Sequence, residues 1–338
     1  MRDSTTWVIG GPKTFRLGSR KIFKKWGGNL QNIEKSMRDV YIPDEGKIFV
    51  QTDQSGAEAL IVAYLCEAGA FRQLFLHGVK PHVYVALHVF RDVWAKRMKE
   101  VQGFDIDTII KTPIQALKSN PFWKDLDATI KDSDNWSLAE RYYYLAKQTC
   151  HSSNYGIEPP TFRMNILEKS GGKIVITKEQ SEHFLRTYHA LFPEIQNWHG
   201  RVRSFALQHK MLYNLFNHPY TITSYRILDE HWKELYAWSP QSTVGMITNV
   251  AYAKMQSYIE ENNLQWDLLT NCHDSYLIQC PIEEMQECAK KSKEFMEVPF
   301  TSPLDGTAFN MRSEVQAGMN WRPFHEKKNP LGLKEVKL

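Results

Sequence analysis

Leu268-Leu269-Thr270-Asn271-Cys272 and Tyr276-Leu277-Ile278-Gln279-Cys280-Pro281 are two apolar runs separated by the polar triplet His273-Asp274-Ser275. Two strand-length apolar runs around a short polar break read as a β-hairpin with the triplet at its tip. A second strand is legible far upstream. Lys47-Ile48-Phe49-Val50-Gln51-Thr52 is a β-like run that ends at Asp53, with Pro43 and Gly46 bounding it upstream. The segments between read as helices. Residues 56–71, GAEALIVAYLCEAGAF, predict an apolar-rich helix ending near Gly69. Residues 101–135 hold Pro113, Pro121 and several aspartates, and read as an irregular insertion with short helices. One further helix is expected over residues 137–154. Another starts at a capping box, Thr177 with Gln180, and runs to Phe192, where Pro193 interrupts it. Strands at both ends with helices between make an α+β fold, a sheet domain interrupted by a helical lobe.

Composition bounds the function classes. At 338 residues the chain is long enough for one large domain or two lobes around a cleft. A hydrophobic content of 42% supports a core, and 24% charged residues argue against wholesale disorder. No run of about 18 apolar residues occurs, so no membrane span is expected. The N-terminal MRDSTTWVIGG is too poor in apolar residues for a secretory signal. Cys66, Cys150, Cys272, Cys280 and Cys288 show no CxxC spacing, so reduced thiols in a cytoplasm are the simplest expectation. A net charge of +4 says little about nucleic acid, but its distribution says more. Lys13, Arg16, Arg20, Lys21, Lys24 and Lys25 fall within one stretch free of acids, interleaved with Phe15, Phe23 and Trp26. Such a stretch can hold phosphates while its rings pack or stack; a solvated loop is the plainer alternative.

Two acids carry the candidate chemistry. Asp53 ends one strand and Asp274 sits at the hairpin turn, far apart in sequence. Phosphoryl transfer from a nucleotide uses two divalent cations, one at the attacking hydroxyl and one at the leaving pyrophosphate. Mg2+ prefers carboxylate oxygen and keeps several waters, so two carboxylates on neighbouring strand ends could suffice together with substrate phosphates. Either aspartate alone would equally serve as a turn or helix-cap residue. In the helix over 137–154, Lys147, His151 and Tyr155 recur at four-residue spacing and share one face. That row suits a triphosphate, an incoming nucleoside and a template base. It equally suits a half-buried face with a snorkelling lysine.

Order in the chain adds a further observation. Thr14-Phe15-Arg16-Leu17-Gly18-Ser19 is followed by Asn29-Leu30-Gln31-Asn32-Ile33, then Arg38-Asp39-Val40-Tyr41 and Pro43. Asp53-Gln54-Ser55-Gly56-Ala57-Glu58, Lys147 to Gly156, Pro240-Gln241-Ser242-Thr243, His273-Asp274-Ser275 and Gly318-Met319-Asn320-Trp321 come next. In this order the segments resemble the family A DNA polymerases, which include bacterial polymerase I and many phage replicases. They match that family's TGRLSS and NLQNI segments, its R-x-x-F-x-P, motif A (usually DYSQIE), motif B, glutamine-bearing helix, motif C (usually HDE) and C-terminal G-x-N-W. The resemblance spans about residues 12 to 322.

The resemblance implies a palm at residues 1–58 and 223–338 built on an antiparallel sheet, interrupted by fingers at 59–222. It implies that Asp53 and Asp274 bind two Mg2+ ions and that Lys147 meets the triphosphate. Glu58 would be the steric gate that closes the space a ribose 2′-OH needs. His82 would lie near the phosphates, His151 beside the nucleoside, and Tyr155 at the template base. Arg16, Asn29, Gln31 and Gln241 would contact primer or template, and His273 the primer terminus, with base pairing supplying sequence information. The implied partners are a DNA primer-template and dNTPs.

Departures from the pattern are also present. Tyr143 stands four residues before Lys147 where the family has arginine, and the nearest arginine is Arg141. His151 stands where Phe or Tyr is usual, Ser275 replaces the third residue of HDE, and Lys80 replaces an aspartate near His82. About a dozen residues precede the TGRLSS-like segment where the family has a thumb and often an exonuclease. The expectation is therefore a chain lacking both, with a separate partner chain, a truncated form or a reduced phage-like enzyme as explanations, in a host cytoplasm if viral. A non-catalytic DNA-binding or assembly subunit keeping the same fold is the alternative, and a two-metal nuclease is a third reading that leaves motif B idle.

Overall fold

The computed structural model describes residues 5–8, 12–20 and 28–338. Lys21, Lys24, Lys25, Phe23 and Trp26 of the basic stretch lie outside the described residues. A five-stranded sheet carries the strands read from sequence. Its order is Lys334–Glu335, Ser313–Gly318, Lys47–Gln54, Ser275–Pro281, Asp267–Asn271, and every neighbouring pair is antiparallel. The helices from residue 57 to residue 209 fall between the central strand and the hairpin in the chain.

Both faces of the sheet are covered, which explains why its inner strands read as near-continuous apolar runs. On one face Val50, Tyr276, Ile278 and Cys280 join the main core. The helices Trp232–Glu261 and Met285–Met296 pack there, and the Tyr276 hydroxyl donates to the Ser292 carbonyl at 3.0 Å. On the other face Phe49, Leu277, Trp321 and Leu333 form a smaller cluster. Asp53 lies on this second face, two positions beyond Gln51, whose side chain accepts from the Trp321 indole at 2.7 Å. The covering cluster stops short of it, so the central strand delivers its carboxylate to an accessible edge.

One predicted helix is two. Residues 57–65 form a helix that ends at Cys66, whose backbone is extended, and a second helix occupies Ala70–Leu76. The break has a tertiary cause. Glu194, buried, accepts from the Phe71 amide at 2.7 Å, capping the second helix. Arg72 donates to the carbonyls of Ala63 (3.1 Å) and Cys66 (2.6 Å), capping the first. Gly69 is required for this approach, because a Cβ there would come within 2.5 Å of the Glu194 carboxyl.

The helix expected from residue 137 begins at Tyr142. Buried Ser133 accepts from the Tyr143 amide at 2.9 Å, and Arg141 turns back to the Asp134 carbonyl (3.0 Å) and carboxylate (3.0 Å). The insertion is as read, with short helices at Ile106–Lys111, Ile114–Leu117 and Trp123–Asp132. The Thr177–Gln180 capping box starts the helix Lys178–Leu191, and Pro193 opens the next one, Pro193–His209. Among the described residues no helix is long and apolar enough to cross a membrane, and all five cysteines are free thiols.

Candidate active site

Sheet register brings the two acids together. Asp53 lies directly opposite Ser275, and the Gln54 amide donates to the Asp274 carbonyl at 3.0 Å. The hairpin tip is tight: Asp274 N donates to Cys272 O (2.8 Å), Cys272 N to Ser275 O (2.7 Å), and His273 adopts a left-handed φ of 66°. Thr248, on the helix Trp232–Glu261, fixes this tip. Its hydroxyl reaches the His273 carbonyl at 3.1 Å and accepts from the Gln54 side chain at 2.7 Å. Asp274 is exposed at the tip, while Asp53 is half-buried.

The electrostatics follow from this placement. Burial pushes the Asp53 carboxyl up to about 7, and the charge of Asp274 adds to the rise; Glu314 adds less, and Lys35 and Arg38 oppose it. Asp274 is also raised, chiefly by desolvation; Glu58 adds to that rise, whereas Arg16 and His273 act against it. The charge of Asp274 hinders ionisation of Asp53, and a bound divalent cation would relieve both raised acids. Among the described residues no third His, Cys, Asp or Glu side chain completes a cage around one point. The donor set therefore fits Mg2+, which takes one or two carboxylates and fills its remaining positions with water and substrate oxygen.

Glu58, in the first turn of the helix Ala57–Leu65, has both oxygens engaged. Arg16 Nη2 donates to Oε1 at 2.6 Å and the Tyr155 hydroxyl to Oε2 at 2.5 Å. Tyr155 is buried and stands edge-on to the His151 ring, with centroids 5.5 Å apart. Arg16 reaches Glu58 from a strap, residues 12–17, laid across the helix Trp232–Glu261. The Trp238 indole donates to Lys13 O (3.0 Å) and the Asn249 amide to Phe15 O (2.7 Å). Gly245 lets the strap lie this close, since a Cβ there would meet Thr14 O at 2.6 Å.

Basic side chains also gather around His82. His82 is pushed down to about 4 by burial, then by the charges of Lys147, His151 and Lys80. Its ring lies 6.0 Å from that of Tyr143. His151 is within electrostatic reach of Glu58 and Arg16, the same two groups that act on Asp274.

Asn29 and Gln31, expected to contact primer or template, also make internal hydrogen bonds. Asn29 Oδ1 accepts from the Gln31 amide at 3.1 Å. The Gln31 side chain donates to Leu17 O (2.7 Å) and Asn271 O (2.9 Å) and accepts from Ser19 N (3.1 Å), so it joins the strap to the hairpin strand. Gln241 is half-buried on the helix Trp232–Glu261, one turn before Gly245. Sequence reasoning did not find Glu314, directly opposite Asp53 on the next strand, or Thr248, because strand register and helix docking are nonlocal.

An acid pair at adjacent strand ends stands on an α+β scaffold, and comparison with known proteins identifies the family. The sequence profile of DNA polymerase family A matches residues 129–323, more than half of the chain, and the chain belongs to that family. DNA polymerase I of Caldicellulosiruptor bescii is 24% identical over 333 residues, 95% of this chain and 32% of that protein. DNA polymerase I of Borreliella burgdorferi is 23% identical over 309 residues, 88% of this chain and 28% of that protein. The chain thus spans about a third of the length of these relatives. Its fold is similar to the POL domain of Pol1 from M. smegmatis, solved in complex with DNA primer-template and dNTP. The TM-score is 0.66 at 18% identity, covering 94% of this chain and 48% of that one.

Proposed function

We propose that this chain is the catalytic core of a template-directed DNA polymerase that adds deoxynucleotides to a primer 3′-OH. The observation that carries the reading is the pairing of the Asp53 strand with the Asp274 turn, Gln54 N to Asp274 O at 3.0 Å. Family membership supports the same reading. Asp53 and Asp274 would hold two Mg2+ ions. When bound, such ions activate the attacking hydroxyl and take up the charge of the leaving pyrophosphate.

The chain's own residues would do the rest. Lys147 attracts the triphosphate with the neutral His82 ring beside it, and His151 and Tyr155 line the nucleoside and template positions. Glu58, immobilised by Arg16 and Tyr155, occupies the volume that a 2′-OH needs, and a gate of this kind works because it is fixed. Arg16 and His273 meet the primer end, with Gln241 farther along the duplex. In this reading the sheet portions, residues 1–58 and 223–338, are the palm, and 59–222 the fingers. Primer-template DNA and dNTPs are the partners, and the enzyme works in a cytoplasm.

Primer extension with Mg2+ and dNTPs tests the proposal, with Asp274→Ala as control and any partner chain supplied. Extension by the wild type that the variant loses is the expected result. A wild type that binds primer-template and extends nothing would overturn the catalytic reading in favour of a binding subunit.

A further inference from the structure

Lys80 is the exposed N-cap residue of the helix Pro81–Val89, two positions before His82. Lys80 starts the helix that packs against the helix Tyr142–Ser153 carrying Lys147, and His82 and Tyr143 meet between them with ring centroids 6.0 Å apart. The two lysine charges both bear on the buried His82 ring, and among the described residues no carboxylate pairs with either lysine. Like charges gathered and left unneutralised raise the free energy of the unliganded chain, and an anionic ligand relieves it. The helix end adds the positive pole of its backbone dipole.

The neighbouring helix explains why a second lysine is needed. Of its side chains, Lys147 faces the cluster as a free cation. One turn earlier stands Tyr143, whose ring fills the space next to His82 without charge. Arg141 is committed elsewhere, hydrogen-bonded twice to Asp134 with its guanidinium over the Tyr144 ring.

We propose that Lys80 is a nucleotide-binding residue that grips the phosphates of the incoming triphosphate jointly with Lys147. The inference rests on the polymerase reading and adds a cation to its substrate site. Phosphate oxygen is also the chemistry of a DNA backbone, so the experiment must separate the two sources.

Primer extension at varied dNTP is measured for wild type, Lys80→Ala and Lys80→Arg, together with the Kd for primer-template without nucleotide. Lys80→Ala raises the dNTP KM about tenfold, the order of one charge-assisted contact. It lowers kcat less than it raises KM and leaves the DNA Kd within about twofold. Lys80→Arg restores the KM, which a purely structural role would not predict for an exposed side chain. A KM unchanged in Lys80→Ala overturns the proposal, and so does a weakened DNA Kd with an unchanged KM, which would assign the lysine to the backbone. Equilibrium binding of Mg2+-dATP to the chain reads the contact without turnover. Wild type that binds dATP but extends no primer sinks the polymerase reading alone, provided Lys80→Ala loses that binding. Absence of dATP binding by wild type sinks the contact as well.

Discussion

Tyr155 donates its hydroxyl hydrogen to Glu58 Oε2 at 2.5 Å, joining the end of the helix that carries Lys147 to the start of the helix that follows Asp53. With Arg16 on the other oxygen, this contact leaves Glu58 little freedom. Glu58→Ala is expected to raise ribonucleotide use relative to deoxynucleotide use by about tenfold to a hundredfold. Tyr155→Phe frees one oxygen and should give an intermediate ratio. Competition between rNTP and dNTP in primer extension reads both. An unchanged ratio in Glu58→Ala would mean that another residue does the filtering.

The Asp53 carboxyl, held near 7 against an ordinary 3.8, makes metal-free stability depend on pH. Between those values the folded chain keeps a proton that the unfolded chain has released, so this group costs stability progressively as pH rises from about 4 to about 7. Beyond that the cost is level. Asp53→Asn removes the cost, so in chelator its Tm should exceed that of wild type by a margin that grows across this window. Added Mg2+ should narrow the margin at pH 8 by stabilising wild type alone. A margin independent of pH would show that the acid is not raised in the free protein.

Lys147 has no acid partner among the described residues and faces the basic cluster. Lys147→Ala should raise the dNTP KM and lower kcat, each by about tenfold or more, with primer-template affinity nearly unchanged. Comparable losses in nucleotide use and DNA affinity would place this lysine on the duplex.

Gly245 tests the strap. A methyl there meets Thr14 O at 2.6 Å, so Gly245→Ala must displace residues that carry Arg16. We expect a loss of about 1–3 kcal/mol in thermal unfolding and weakened primer-template binding, because overpacking shifts backbone rather than being absorbed. Wild-type stability and binding in the variant would mean that the strap is not held where it lies.

Local signals account for what the sequence made legible. The strand ending at Asp53 and the hairpin around Asp274 are short apolar runs bounded by turn residues, and both stand as read. The Thr177–Gln180 cap likewise depends on neighbours three residues apart. The failures involve distant partners. Residues 57–76 look like one apolar helix until the Glu194 carboxylate, 123 residues from Phe71, caps the second half. The acid pair itself was inferred from order along the chain, whereas the identity of the residue opposite Asp53 on each side required the register.

Thr248 has the widest reach of these contacts. Because the same hydroxyl anchors the Gln54 side chain and the His273 carbonyl, the two acid-bearing segments hang from a single peg on one helix. Any shift of that helix carries both acid-bearing segments with it, so their mutual placement is tied to one hydroxyl.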